Sequence, residues 1–380
     1  MRILKPLLPS LIKSGLVALW EALSGWSTPS LALERHLLQR VLPPSKIGRV
    51  ASSTFNHQLA LLRNRVELSR GDIPLWFGPF LGEIGYELLY WRGFVSSVRS
   101  ELGLSHDQVA VISRGGVAGW YGVVEKNYSD LYQLIGESNL AKIQTDVYPV
   151  RFESEHQAIV KAVRGNRRFW VHPRLMHQAI AEFKTDPSTL PKIAKTISHS
   201  PIREQDMLRS DSNLRRIWEK LQESLPSRYI AVKIYTGSNL NDPSFGGTIE
   251  DALRIISREI PVVALSNTET TSSHSDWGIS LQEVLKPMID VPKSLNLGVQ
   301  TLLIGKSQAF WGTYGGFSYL PLYLKKASLV FKDGATIQKR AHEVMESHAV
   351  TTLGTSYKVL DLSKENLIDA TTDFLAESLA

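Results

Sequence analysis

Apolar positions along the chain alternate between two periods. Short β-rich runs fall at 73–77, 108–113 (QVAVIS), 145–150, 168–171 (RFWV), 229–235 (YIAVKIY), 260–265 (IPVVAL), 309–312 and 327–331. Between them, at 87–99, 157–163, 248–259, 297–304 and 318–324, apolar residues recur at helical spacing. The strands end in glycine, hydroxyl or cationic residues and helices follow, which predicts parallel sheets with helices on both faces. There are two such series. The pattern predicts an N-terminal Rossmann-like unit over 71–200 and a second over 228–380, joined by a polar helical linker at 201–227 and preceded by a helical extension over 1–70. The expected fold class is α/β, with two Rossmann-like α/β/α domains facing across a cleft. In open parallel sheets ligands sit at the carboxyl ends of the strands, so an inter-domain site is expected there.

The first 26 residues carry Leu4, Leu8, Leu11, Ile12, Leu16, Leu19, Trp20 and Leu23 at helical spacing, broken by Lys5, Pro6, Pro9, Lys13 and Glu21. The stretch is too interrupted to span a bilayer and lacks the form of a signal peptide. It reads either as a helix packed on the protein body or as an interfacial helix on an anionic membrane face.

Composition narrows the chemistry. Among 380 residues there is no cysteine, which excludes disulfides, thiolate catalysis and Cys-ligated zinc and suits a cytoplasmic location. The net charge of +6 suits phosphate-bearing ligands or an anionic surface, but no Lys/Arg run is dense enough for a nucleic-acid arm. HExxH, P-loop, GxSxG and D-x-D patterns are absent, so no protein-bound metal and no cofactor are expected.

Three motifs stand at predicted strand ends. The first, Gly78-Pro-Phe-Leu-Gly82-Glu83-Ile-Gly85-Tyr86-Glu87, runs from strand to helix. Gly82 and Gly85 allow tight turns and close ligand approach. Glu83 is placed as a base for a substrate hydroxyl, or else caps the helix, and Glu87 reads more readily as a cap. The second is a strand carrying Lys233, followed by Thr236. A lysine there either neutralises a diphosphate or sits at the solvent end of an edge strand. The third, 309–321, is strand, glycine turn and helix: Thr313, Gly315, Gly316 and Ser318 can offer donors to phosphate oxygens, and Tyr314 can stack on a ring. Arg114 after QVAVIS and Arg174 after RFWV are candidate phosphate clamps, and His172 is a candidate base or an ordinary core histidine.

At this third motif, with Asn296-Leu-Gly-Val-Gln300 and Phe310-Trp311-Gly312 before it, the chain resembles glycosyltransferases of the two-Rossmann-domain (GT-B) type. The resemblance implies a C-terminal half that holds a nucleotide-sugar, with the glycine/serine turn facing its phosphates. Fucosyltransferase-like members carry a basic residue on the first strand of the donor domain. Their His-x-Arg pattern is not present here, and Lys233 stands near that place with Tyr235. The implied partners are a nucleotide-sugar donor and a glycan or lipid-linked acceptor. Glu83 would deprotonate the acceptor, Lys233 and the turn would hold the diphosphate, and Arg114 or Arg174 would close from the other domain. A polysaccharide pyruvyltransferase, a nucleotide-sugar epimerase and a non-catalytic scaffold remain alternatives on the same architecture.

Overall fold

The computed structural model describes residues 55–56, 59–64, 74–138, 140, 170–237, 240, 242, 244–265, 274–276, 279, 281–288, 290–334 and 340–379. The expected N-terminal helix, the strand at 145–150 and the helix at 157–163 lie outside the described residues.

Two parallel sheets form the frame. The first has strand order β3-β2-β1-β4, with β1 Leu75–Phe77, β2 Val109–Ser113, β3 Tyr128–Asp130 and β4 Trp170–Val171. The second has the order β12-β11-β10-β5-β7-β9, with β5 Ile230–Lys233, β7 Val262–Ala264, β9 Val284–Leu285, β10 Ala309–Thr313, β11 Ala327–Lys332 and β12 Tyr357–Asp361. All its pairings are parallel. The 229–235 run divides at Ile234, and β6 Tyr235–Gly237 pairs antiparallel with β8 His274–Asp276.

Period-two alternation assigns each strand residue to a side. Leu75 and Phe77 of β1, Val109 and Val111 of β2, Ala231 of β5 and Phe310 of β10 belong to one apolar cluster that includes strand residues from both sheets. Ile230, Val232, Ala309 and Trp311 belong to a second cluster on the far face of the larger sheet. There helices α5 (Phe245–Glu259) and α9 (Leu367–Leu379) pack on each other and bury Ile249, Leu253, Ile256 and Phe374. The indole of Trp311 donates to Thr371 at 3.1 Å, so its one polar atom is satisfied inside this core.

Helices line the shared inner layer, and α2 (Pro173–Ala179) follows β4. Helix α1 runs through Ile84–Tyr86, a π-helical turn at Glu87–Trp91, and Arg92–Glu101. It stops at Gly103, whose φ of +63 only glycine adopts without strain. Helix α6 (Lys293–Lys306) is buried over most of its length, its polar Asn296, Gln300 and Thr301 included, as a helix between two sheets must be. Helices α7 (Tyr319–Tyr323) and α8 (Arg340–Leu353) complete the layer. The segment expected as a linker is a packed pair, α3 (Glu204–Ser210) and α4 (Ser212–Gln222), with Met207, Leu214 and Trp218 buried in the same cluster. Asp211 caps α4 by accepting from the Leu214 N–H at 2.9 Å.

Candidate functional site

The carboxyl ends of the two sheets carry all three motifs. Phe77 ends β1, and Gly78 turns the chain at φ +126, where a Cβ would lie 2.4 Å from the Ile112 carbonyl oxygen. Arg114, just beyond β2, reaches back and donates to the carbonyls of Phe80 at 3.3 Å and Gly82 at 2.6 Å. It therefore braces the first motif from within its own unit and is buried there.

Glu83 occupies the cap position of α1, with an extended backbone, but its carboxylate makes no capping hydrogen bond and is exposed. Its charge falls instead on Tyr235, in the other unit. Burial raises the Tyr235 phenol above its ordinary range and the Glu83 carboxylate raises it further. Tyr235 is in turn tied to the third motif: its N–H donates to Thr313 Oγ1 at 3.2 Å and its hydroxyl to the Tyr314 carbonyl at 3.1 Å.

Gly85 and Gly316 meet across the same junction. A Cβ on Gly85 would lie 2.6 Å from the Gly316 Cα, and a Cβ on Gly316 would lie 2.8 Å from the Gly85 nitrogen. These glycines thus serve the approach of one backbone to the other. Gly115 and Gly116 do the same against Leu297 and Leu295 at the start of α6. Gly82 is constrained locally, its Cβ position lying 2.9 Å from the Phe80 ring.

Glu87 is fully buried on the π-helical turn and does not cap the helix. Its Oε1 accepts from Ser113 at 2.5 Å and Tyr121 at 2.6 Å, while Oε2 has no hydrogen-bond partner among the described residues. Burial raises its pKa, against the lowering pull of Arg114 and the two hydroxyls. A group so enclosed orders the turn beneath Glu83.

Lys233 is 1% exposed, on a strand with neighbours on both sides, so the edge-strand alternative is excluded. Alternation puts it on the inner face with Ala231, and its ammonium lies 5.6 Å from the Phe317 ring centroid. The hydroxyls of the glycine turn are engaged internally. Thr313 accepts from Tyr235, while Ser318 Oγ donates to the Gly315 carbonyl at 2.8 Å and lies 2.7 Å from the Tyr357 hydroxyl. Tyr314 is buried and donates to Glu346 at 2.6 Å, with Lys332 over its ring. That corrects the expectation of a ring free to stack on a ligand.

Helix α8 supplies residues that no motif announced. Glu346 accepts from Tyr314 and, at 2.8 Å, from Tyr319. His342 lies between the units, its Nε2 3.1 Å from the Tyr319 hydroxyl and its Nδ1 3.4 Å from that of Tyr90. Burial, and then the charge of Lys184, lower its pKa to about 4, so the ring is neutral at pH 7. Tyr86 stacks on Tyr90 and touches the His342 ring, beneath the Lys184 ammonium. The only signal in the sequence was the spacing of His342 and Glu346, four residues apart on one helix face.

His172 follows β4, beside the first motif, because Gly78 donates to the Val171 carbonyl. Its ring meets Trp170 edge-on and it is half-buried. Thr236 lies on β6, next to Tyr235. The side chain of Arg174 lies outside the described residues. Among the described residues, no group of three or more His, Asp or Glu side chains is placed to hold a metal ion. No described helix is long and apolar enough to cross a membrane.

No protein-family model matches the chain, and no curated protein matches it. Among solved structures it is similar to a glycosyl transferase family 9 protein from Veillonella parvula DSM 2008, with a TM-score of 0.41 and 10% identity, over 80% of this chain and 90% of that one.

Proposed function

We propose that the protein is a glycosyltransferase that moves a sugar from a nucleotide-activated donor to a hydroxyl of a glycan or lipid-linked acceptor. One observation carries the reading: the three strand-end motifs, far apart in sequence, converge where the two sheets face each other. There Gly85 touches Gly316, and the charge of an exposed Glu83 bears on Tyr235. Ligands of parallel α/β sheets bind at that edge.

In the proposed reaction, Glu83 accepts the proton of the acceptor hydroxyl as its oxygen bonds to the anomeric carbon. The bond from that carbon to the donor phosphate oxygen breaks, and the nucleoside diphosphate leaves with the electron pair. The positive charges of Lys233 and Lys332 favour the anion as it forms. Arg114 and Glu87 hold the loop and the turn that present Glu83. No metal is assigned a role, and a membrane-borne acceptor would be met at the cytoplasmic face.

The test is a thermal-shift panel of nucleotides and nucleotide-sugars, followed by turnover with the stabilising donor and a glycan acceptor. One donor should raise the melting temperature and release nucleoside diphosphate only when acceptor is present. Glu83→Gln should leave the melting temperature in place and lower kcat by about 10²-fold or more. Absence of any donor response in folded protein would refute glycosyl transfer, and full turnover by Glu83→Gln would remove Glu83 from the mechanism.

A further inference from the structure

A cavity of about 390 Å³ lies beside the N-terminal sheet, away from the glycine junction. Val109, which opens β2, and Arg99, in the last turn of α1, both line it. Helix α1 carries the chain from the carboxyl end of β1 back to the amino end of β2. The cavity therefore sits at the opposite edge of the sheet from Glu83. Its volume is in the range of small-molecule sites.

The charges around it are unequal. Arg92, Arg99 and Arg203 line the cavity against one carboxylate, Asp206. Arg92 has a fixed task. It is buried and donates to the carbonyls of Trp120 and Ser200 at 2.5 Å, to that of Pro201 at 3.1 Å and to Ser200 Oγ at 3.2 Å. One guanidinium thereby pins two wall segments together and leaves its positive charge behind them. Arg203 is exposed and makes no side-chain hydrogen bond or ion pair among the described residues. Arg99 has an Nη1 contact with the His106 ring at 2.9 Å, and that ring is held by the Gly122 carbonyl. Two guanidinium forks thus border a concave, polar space whose walls are braced by a third. Planar forks suit phosphate oxygens, and a concave wall concentrates the field of like charges.

We propose that this cavity binds a small phosphate-bearing ligand, held by Arg99 and Arg203 at the edge of the sheet opposite the glycine junction. The inference is independent of the glycosyl-transfer reading, since neither Arg99 nor Arg203 has a part in it, although the wall residue Tyr121 also donates to Glu87. The phosphate comes either from a free phosphorylated sugar or from a phosphate on a larger glycan, and the same guanidinium forks serve both.

Calorimetric titration of the full chain with inorganic phosphate and with a hexose 1-phosphate tests it. Both should bind saturably, and more weakly as salt is raised. Arg99→Gln with Arg203→Gln should weaken both by more than about tenfold. Arg203→Gln alone, at an exposed residue without an internal partner, should fold normally and weaken them severalfold. Tighter binding of the hexose phosphate would mark a free phosphosugar that fills the cavity. Equal affinities would mark readout of the phosphate alone, as on a larger glycan. The proposal is overturned if neither probe binds, or if binding survives unchanged in the folded double variant.

Discussion

Replacing Gly85 by alanine tests the junction directly. The added methyl would sit 2.6 Å from the Gly316 Cα and 3.2 Å from the Tyr319 ring. Carbon atoms rest at about 3.5–4.0 Å, so one backbone must retreat by roughly 1 Å. Overpacking of this kind costs about 1–3 kcal/mol, and a backbone neighbour cannot rotate away as a side chain can. Alanine is favoured over glycine in a helix by about 1 kcal/mol, which offsets part of this. The net expectation is destabilisation by about 1–2 kcal/mol. At about 2.1 cal/mol/K per residue, a chain of 380 residues changes its melting temperature by only 1–2 °C per kcal/mol. The expected fall is therefore about 1–3 °C by calorimetry. Gly247, near the start of α5, is the control. Nothing lies within 4 Å of its Cβ position, so Gly247→Ala should stabilise slightly, by about 0.5 kcal/mol. Turnover should separate the two variants further, because a 1 Å displacement of reacting groups costs about 10²-fold. A Gly85→Ala protein that melts at or above the wild-type temperature and turns over normally would refute the close junction.

Glu87→Ala should destabilise by about 2–4 kcal/mol, because it strands Ser113, Tyr121 and the Arg114 charge. Glu87→Gln, which keeps the acceptor, should cost much less, and denaturant midpoints would separate the two. Asp130 should impose a pH dependence. Burial raises its carboxyl from 3.8 to about 7 despite hydrogen bonds from Gly116 and Tyr128. The unfolded chain therefore loses that proton first, and stability falls by up to roughly 3 kcal/mol between about pH 4 and pH 7, then levels. Asp130→Asn retains the acceptor that receives the Tyr132 N–H and should flatten this interval in urea titrations at the two pH values. Arg92→Met should lower the denaturant midpoint strongly, by about 3 kcal/mol or more, since it leaves the buried carbonyls of Trp120 and Ser200 without their donor.

Much of the frame was legible in the chain because strands buried on both faces read as continuous apolar runs. QVAVIS and IPVVAL became β2 and β7, and the strand after 309 became β10. The 229–235 run misled by one feature. Its apolar pattern continues through Ile234, but the backbone leaves the sheet there so that Tyr235 can bond to Thr313 and Tyr314. Local pattern carries no record of such a long-range partner.

The glycines show the same limit from the other side. Strand-to-helix glycines signal that something comes close, and Gly85, Gly115, Gly116 and Gly316 are all closely approached. In each case the visitor is protein: Gly316, Leu297, Leu295 and Gly85 in turn. A glycine motif therefore marks steric need without naming what fills it. The hydroxyls of Thr313, Ser318 and Tyr314 repeat the lesson, since each meets a partner from β6, β12 or α8 that sequence distance concealed. What the sequence did expose was the exception. Of the two carboxylates in the first motif, Glu87 falls on the inner face and is consumed by Ser113 and Tyr121, whereas Glu83, four residues earlier at the cap, stays exposed and caps nothing. The carboxylate that stays exposed is the one whose charge bears on a buried tyrosine of the facing unit, at the edge where parallel sheets bind their ligands, which is why the proposed reaction is built on it.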